Sequence, residues 1–210
     1  AASDVYKRQS MGSVLHTLNI RLSPADLEYI INHAGDKVIF ADEDLLPLLE
    51  PLWGKIPCVE LLVICRHGEN GKSSFENQID YDDFIKGQPE TYDWPDIDET
   101  SPMGLCYTSG TTGKPKGVMY TNRSTYLHTL VESLPDALGL SSLDSLLGIV
   151  PMFHAMGWGL PNAASMLGCK QVMPHRFMVP DVFLNLMQDE EVTISAGVPT
   201  IWPVSYTHLR

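Results

Sequence analysis

Thr108-Ser109-Gly110-Thr111-Thr112-Gly113-Lys114-Pro115-Lys116-Gly117 is the stretch on which the reading of this 210-residue chain turns. Three glycines free the backbone to aim N–H groups at an anion, four hydroxyls add donors, and two lysines add positive charge, so the segment has the chemistry of a phosphate cradle. It is not a Walker loop, because the position five residues after Gly110 is Pro115 rather than a second glycine. The surroundings agree: residues 100–131 hold Lys114, Lys116 and Arg123 and no acidic residue, inside a chain whose net charge is −12. Composition alone leaves a second reading open, a flexible Gly/Thr loop that binds nothing.

On either side of the loop lie short apolar runs, Met103–Tyr107 and Val118–Tyr120, that read as strands. Downstream, Asn122 is placed to cap a helix running to about Leu134, with Leu127, Leu130, Val131 and Leu134 on its apolar face. Further strands are expected at Leu146–Val150, Gln171–Met173 and Val192–Ala196, separated by helices near Leu160–Leu167 and Val182–Gln188. Upstream, Ser23-Pro24-Ala25-Asp26 is an N-cap, a first-turn proline and a first-turn acid, which predicts a helix from Pro24 to about His33. Strands follow at Lys37–Ala41 and Val59–Cys65, with a helical stretch around Asp44–Leu52 between them. His67–Ser74 reads as a surface loop, and residues 80–99, acidic and interrupted by Pro89 and Pro95, as a solvated connector. Strands alternating with helices give an α/β class, built as layered sheet-and-helix subdomains with largely parallel strands.

The acidic balance argues against binding a nucleic-acid backbone or an anionic membrane surface. No apolar stretch approaches the length of a transmembrane segment. Cys58, Cys65, Cys106 and Cys169 are widely spaced and set among apolar neighbours, which suits unpaired thiols in a reducing, cytoplasmic setting rather than disulfides or a zinc site. His16, His33, His67, His128 and His175 show no pairing in the sequence and are given no role. The ends are a special case. DVYKRQ (residues 4–9) and VSYTHL (residues 204–209) can be translated from opposite strands of one short DNA element, which looks like a transposon end used in sequencing libraries. Residues 1–9 and 204–210 are therefore expected to be adapter-derived scars, leaving residues 10–203 as a partial domain.

Tyr107 to Gly117, YTSGTTGKPKG, resembles the signature of the adenylate-forming, AMP-binding superfamily. Pro151-Met152-Phe153-His154-Ala155-Met156-Gly157-Trp158, then Gly197–Trp202, Leu15–Pro24 and Leu105-Cys106, resemble its medium- and long-chain fatty-acyl-CoA synthetase branch. The likeness spans residues 11–203, with two departures: Asn122 stands where relatives often carry His, and Met156 where close relatives often carry Asn.

The resemblance implies a two-step reaction: a carboxylate attacks the α-phosphate of ATP, releasing pyrophosphate, and the thiol of CoA then displaces AMP. ATP, Mg²⁺ and CoA are the implied cofactors and co-substrates, a fatty acid the implied substrate, and a homodimer an admitted assembly. By the same resemblance Thr108 is a Mg²⁺ ligand, Ser109, Gly110, Thr111, Thr112 and Gly113 cradle the phosphates, and Lys116 lies near them. His154 is the implied catalytic residue, beside the acyl carboxylate and α-phosphate. Trp158 is the implied gate of the fatty-acid tunnel. The family's acidic Mg²⁺ ligand, ribose-binding aspartate, hinge and C-terminal lysine would lie beyond Pro203, so the chain as written is expected to be inactive alone. Two alternatives stand: another adenylating ligase, for aryl or amino acids, and a non-catalytic phosphate- or acyl-binding module.

Overall fold

The computed structural model describes residues 11–68, 73–108, 113–174 and 180–197. Both expected scars lie outside the described residues, as do Ser109–Thr112 of the candidate loop and His175. Two compact units divide the chain: Leu18–Trp94 with Tyr107–Val118, and Ala1–Thr17 with Pro95–Cys106 and Met119–Arg210.

In the first unit, helix α1 (Pro24–Ala34) begins at Ser23, whose Oγ accepts the Asp26 N–H at 3.2 Å. It ends at Gly35, whose left-handed backbone (φ 72°) suits a residue without Cβ. Leu27, Ile30 and Ile31 recur at helical spacing and are buried, as an inward apolar face requires. Strands β2 (Val38–Asp42), β3 (Leu61–Cys65) and β4 (Gln78–Asp80) follow, all parallel, in that spatial order. The helix expected at Asp44–Leu52 is broken into a 3₁₀ turn (Glu43–Leu45), the short α2 (Leu46–Leu49) and a second 3₁₀ turn (Glu50–Leu52). Pro47 and Pro51 supply no N–H and crowd the preceding turn. Leu46, Leu49 and Leu52 are nonetheless all buried, at the three-residue spacing that keeps one face in line.

The reading of residues 80–99 as a mere connector needs correction. β4 and a short helix, α3 (Tyr81–Ile85), occupy its start. Ile79 lies opposite Val63 in the sheet, and Phe84 meets Phe40 edge-on at 5.8 Å, so two apolar side chains anchor an otherwise acidic stretch.

In the second unit, β1 (Leu15–His16) runs parallel to β5 (Pro102–Thr108), with Leu15 opposite Gly104, and β6 (Lys116–Thr121) completes the sheet order β1-β5-β6. The β5 and β6 strands themselves straddle the division between the units. The third sheet has the order β8-β7-β9, with β7 (Ser145–Gly148) parallel to both β8 (Lys170–Val172) and β9 (Ile194–Ala196). Helix α6 (Leu160–Leu167) connects β7 to β8 and covers one face, with Leu146, Leu160, Ala163 and Ala164 in one cluster. Helix α7 (Pro180–Asp189) connects β8 to β9 and covers the other, with Leu147, Val172 and Phe183 in a second cluster. Three small sheets therefore stand where one larger sheet would also have satisfied the strand–helix alternation.

Helix α4 (Asn122–Glu132) departs most from expectation. Its cap is Thr121, not Asn122: Thr121 Oγ1 accepts the Ser124 N–H at 3.1 Å while Ser124 Oγ accepts the Thr121 N–H at 3.0 Å. The face expected to be buried is exposed, Leu127 at 50% and Val131 at 52%, whereas Thr129 and Glu132 are buried. Among the described residues no helix is long and apolar enough to cross a membrane. No disulfide joins the four cysteines.

Candidate functional site

The phosphate-loop candidates flank the undescribed residues. Thr108 ends β5 and Lys116 opens β6; both are exposed, and Thr108 Oγ1 donates to the Lys116 carbonyl at 3.4 Å. Because Thr108 spends its proton on that carbonyl, its oxygen lone pairs remain available to a cation or a donor. Gly113 has φ 133°, a conformation that L side chains rarely adopt.

Helix α1 braces this region through residues given no role from the sequence. Tyr29 and His33 lie four residues apart, one turn of helix, with ring centroids 5.3 Å apart. His33 Nδ1 is 2.7 Å from the Tyr107 hydroxyl, immediately before Thr108. Burial pushes the Tyr107 phenol up, so at neutral pH it stays protonated and able to donate. Lys114 Nζ lies 4.7 Å from the Tyr29 ring centroid, a cation–π contact. The spacing of Tyr29 and His33 was visible in the sequence, but only tertiary structure brings Tyr107 and Lys114 to it.

His154 and Trp158 belong to the other unit. There β7 is the strand at which the order reverses, β8 lying on one side and β9 on the other. In open parallel sheets such a reversal opens a crevice at the carboxyl ends of the strands. The chain leaves β7 at that end and reaches His154, which is exposed, its ring tilted 56° to that of Phe153 with centroids 4.8 Å apart.

The next turn, α5 (Ala155–Trp158), is left-handed. Ala155, Met156, Gly157, Trp158 and Gly159 have φ of 46°, 56°, 67°, 58° and 76° in succession. A residue with Cβ in this region costs roughly 1–2 kcal/mol, and three of the five carry one. Such strain persists only where neighbours over-determine it, and it concentrates at functional segments. Met156 is pinned beneath the turn: a Cβ on Gly104 would lie 3.1 Å from its Sδ. Thr17 Oγ1 donates to the Met152 carbonyl at 2.9 Å just upstream. The turn leaves Trp158 39% exposed. The hand of this turn was not legible in the sequence.

A second missed group lies against the same turn. Glu132, at the end of α4, is 6% exposed. Its Oε2 has no hydrogen-bond partner and sits 3.5 Å from His128 Nδ1, one helical turn back. Burial pushes the Glu132 carboxyl up to about 7. The sequence reading of His128 as unpaired is thus corrected, as is that of His33; His67 likewise pairs with Asp42, Nε2 to Oδ1 at 3.2 Å. His–carboxylate pairing across three intervening residues was legible at 128 and 132, but burial was not.

Comparison with known proteins gives consistent results. The AMP-binding enzyme family model matches residues 9–206. The chain is 42% identical over 198 residues to a medium-chain-fatty-acid–CoA ligase of Ectopseudomonas oleovorans, covering 94% of this chain and 36% of that protein. It is 43% identical over 192 residues to a long-chain-fatty-acid–CoA ligase of Thermus thermophilus, covering 91% and 34%. A crystal structure of a long-chain-fatty-acid-CoA ligase from Archaeoglobus fulgidus superposes with a TM-score of 0.82 at 24% identity, over 98% of this chain and 39% of that one. The chain thus spans little more than a third of the length of the curated relatives it matches.

Proposed function

Because the chain belongs to the AMP-binding enzyme family, we propose that it is part of an ATP-dependent fatty-acid–CoA ligase, which joins a carboxylate to AMP and then transfers the acyl group to the thiol of CoA. The observation that carries this reading is the TSGTTGKPKG loop, set between β5 and β6 in a chain more than 40% identical to two fatty-acid–CoA ligases over nine-tenths of its length.

In this reading Ser109, Gly110, Thr111, Thr112 and Gly113 direct donors at the phosphates of ATP, and Lys116 stabilises charge that builds on the departing pyrophosphate. Mg²⁺, when bound, supplies Lewis-acid stabilisation of phosphate oxygens, and Thr108 Oγ1 is the group in this chain that would hold it. The free lone pairs of that hydroxyl fit the role. Among the described residues no cluster of three or more His, Cys, Asp or Glu could hold a metal ion by itself. His154 orients the acyl carboxylate, and Trp158 controls entry of the alkyl chain. The linear, weakly polar Met152, Met156, Leu160, Met166 and Leu167, which flank that tryptophan in the sequence, suit an unbranched aliphatic substrate. Cytoplasmic placement, in keeping with four unpaired thiols, and a homodimer complete the proposal.

The test is pyrophosphate exchange by the full-length protein. Thr108→Ala and Lys116→Ala are each expected to slow it by roughly a hundredfold or more. Exchange unchanged within about twofold would remove both residues from the phosphate site. Medium- and long-chain fatty acids should exceed acetate by at least about a hundredfold in kcat/KM, since each buried methylene contributes about 0.8 kcal/mol. Best activity on acetate, benzoate or an amino acid would leave the adenylating chemistry and discard the tunnel.

A further inference from the structure

The left-handed turn that carries Trp158 is held by something, and the side chains against its C-terminal end are polar. A Cβ on Gly159 would lie 2.7 Å from His128 Nδ1, 3.0 Å from His128 Cε1 and 3.3 Å from Glu132 Oε2. Only a glycine admits this approach, so the imidazole and the carboxylate rest directly on the backbone of the residue after Trp158. The groups facing Glu132 are few. Its own helix contributes His128. Helix α6, packed against α4, carries no ionisable residue. The loop after α4 holds Asp136, which is exposed, and the segment before the turn holds His154, also exposed. A buried carboxyl oxygen without a hydrogen bond is costly when ionised, so burial favours the protonated carboxyl.

We propose that Glu132, packed beside the His128 ring against Gly159, is a protonation latch that sets the position of the Trp158 turn, making Glu132 a positioning residue for acyl-chain entry. The latch itself is a property of α4 and the turn; its consequence for acyl entry rests on the gate reading of Trp158. When Glu132 holds its proton it is neutral and its burial beside Gly159 is unopposed, so the turn is clamped. When the proton leaves, a carboxylate is stranded in a desolvated site, and relief comes from moving toward water, which displaces the Gly159 backbone and Trp158 with it. Burial places the loss of that proton near neutral pH, within the range where a cell can use it.

The experiment is fluorine NMR of the 210-residue chain labelled with 5-fluorotryptophan, the Trp158 resonance assigned by its disappearance in Trp158→Phe. From about pH 5.5 to about 8.5 that resonance should move with a single midpoint near 7 in the parent sequence. Glu132→Gln, which keeps the shape of the side chain and removes its charge, should hold the resonance at its low-pH position throughout. A resonance flat across the range, or a titration that survives Glu132→Gln, overturns the latch. In the full-length protein, KM for a fatty acid should then depend on pH through the same midpoint while KM for ATP does not, and Glu132→Gln should abolish that dependence. If the fluorine titration is present and the KM for fatty acid is flat, the latch stands and the gate reading of Trp158 falls.

Discussion

Helices α1 and α4 are both 11 residues long, both capped at the N-terminus by a hydroxyl side chain, and both amphipathic, yet they present opposite faces to their own units. In α1 the apolar set Leu27, Ile30 and Ile31 is buried. In α4 Leu127, Leu130 and Val131 are exposed, while Thr129 and Glu132 point inward. The difference lies in what each helix packs against. For α1, the apolar rows of β3 and the Leu46–Leu52 turns share the interior. For α4, the partner is α6 and its preceding turn, where Gly159 brings backbone into direct contact with side chains. Small polar and ionisable groups fit such an approach where a leucine does not. A hydrophobic stripe therefore says that a face is to be covered, but not by what. In the longer protein proposed here, the outward face of α4 is available to residues that these 210 do not include.

The comparison is broken or sharpened most forcefully at the buried positions. Ile31→Ala in α1 should cost about 2–5 kcal/mol in urea unfolding, since Ile31 is fully buried and the cavity is lined by core side chains. Leu127→Ala in α4 should cost less than about 0.5 kcal/mol beyond helix propensity in the same assay. Equal losses at the two sites would mean that α4 buries its apolar face in solution.

Next in size is Glu132. Its carboxyl is raised from 4.5 to about 7 in the folded state, so between those values the folded chain binds a proton more tightly than the unfolded chain. Stability contributed by that group is complete below about pH 4.5 and is lost as pH rises through about 7, with an upper limit of about 3 kcal/mol. Glu132→Gln is accordingly expected to flatten the decline and to be more stable than the parent above about pH 7.5, by up to that amount. Urea unfolding at a series of pH values reads both; a mutant that loses stability at high pH would show that the carboxylate is satisfied.

The caps should be alike despite the opposite faces. Ser23→Ala and Thr121→Ala each remove one acceptor from a helix N-terminus, and each should cost about 1 kcal/mol. A cost several-fold larger at Thr121 would show that the start of α4, and with it the end of β6, is under more strain than that of α1. The smallest effect on stability is expected from Leu130→Lys with Val131→Lys, within about 0.5 kcal/mol. The same pair should nonetheless reduce self-association of the 210-residue chain in light scattering, because Tyr126, Leu127, Leu130, Val131 and Leu134 form an uncovered apolar face. Unchanged scattering would place the association elsewhere.

Local signals were read directly from residues when their cause was local. The Ser23-Pro24 start of α1, the helix at Leu160–Leu167 and the strand–helix alternation each depend on a few neighbouring side chains and their backbone preferences, and each is found where expected. Family membership was legible for the same reason, since glycine, threonine and lysine at the spacing of residues 108–117 are a chemical statement in themselves. Tertiary structure alone decided the rest. Among the described residues it divided the strands into three sheets, set His33 on Tyr107 and Lys114 over Tyr29, turned the Trp158 segment left-handed, and buried Glu132. In each case the deciding partner lies far away in the chain or in a different element, and its identity sets the energy. A glycine states that a close approach is possible, but only the packed helix opposite determines that a carboxylate fills the space.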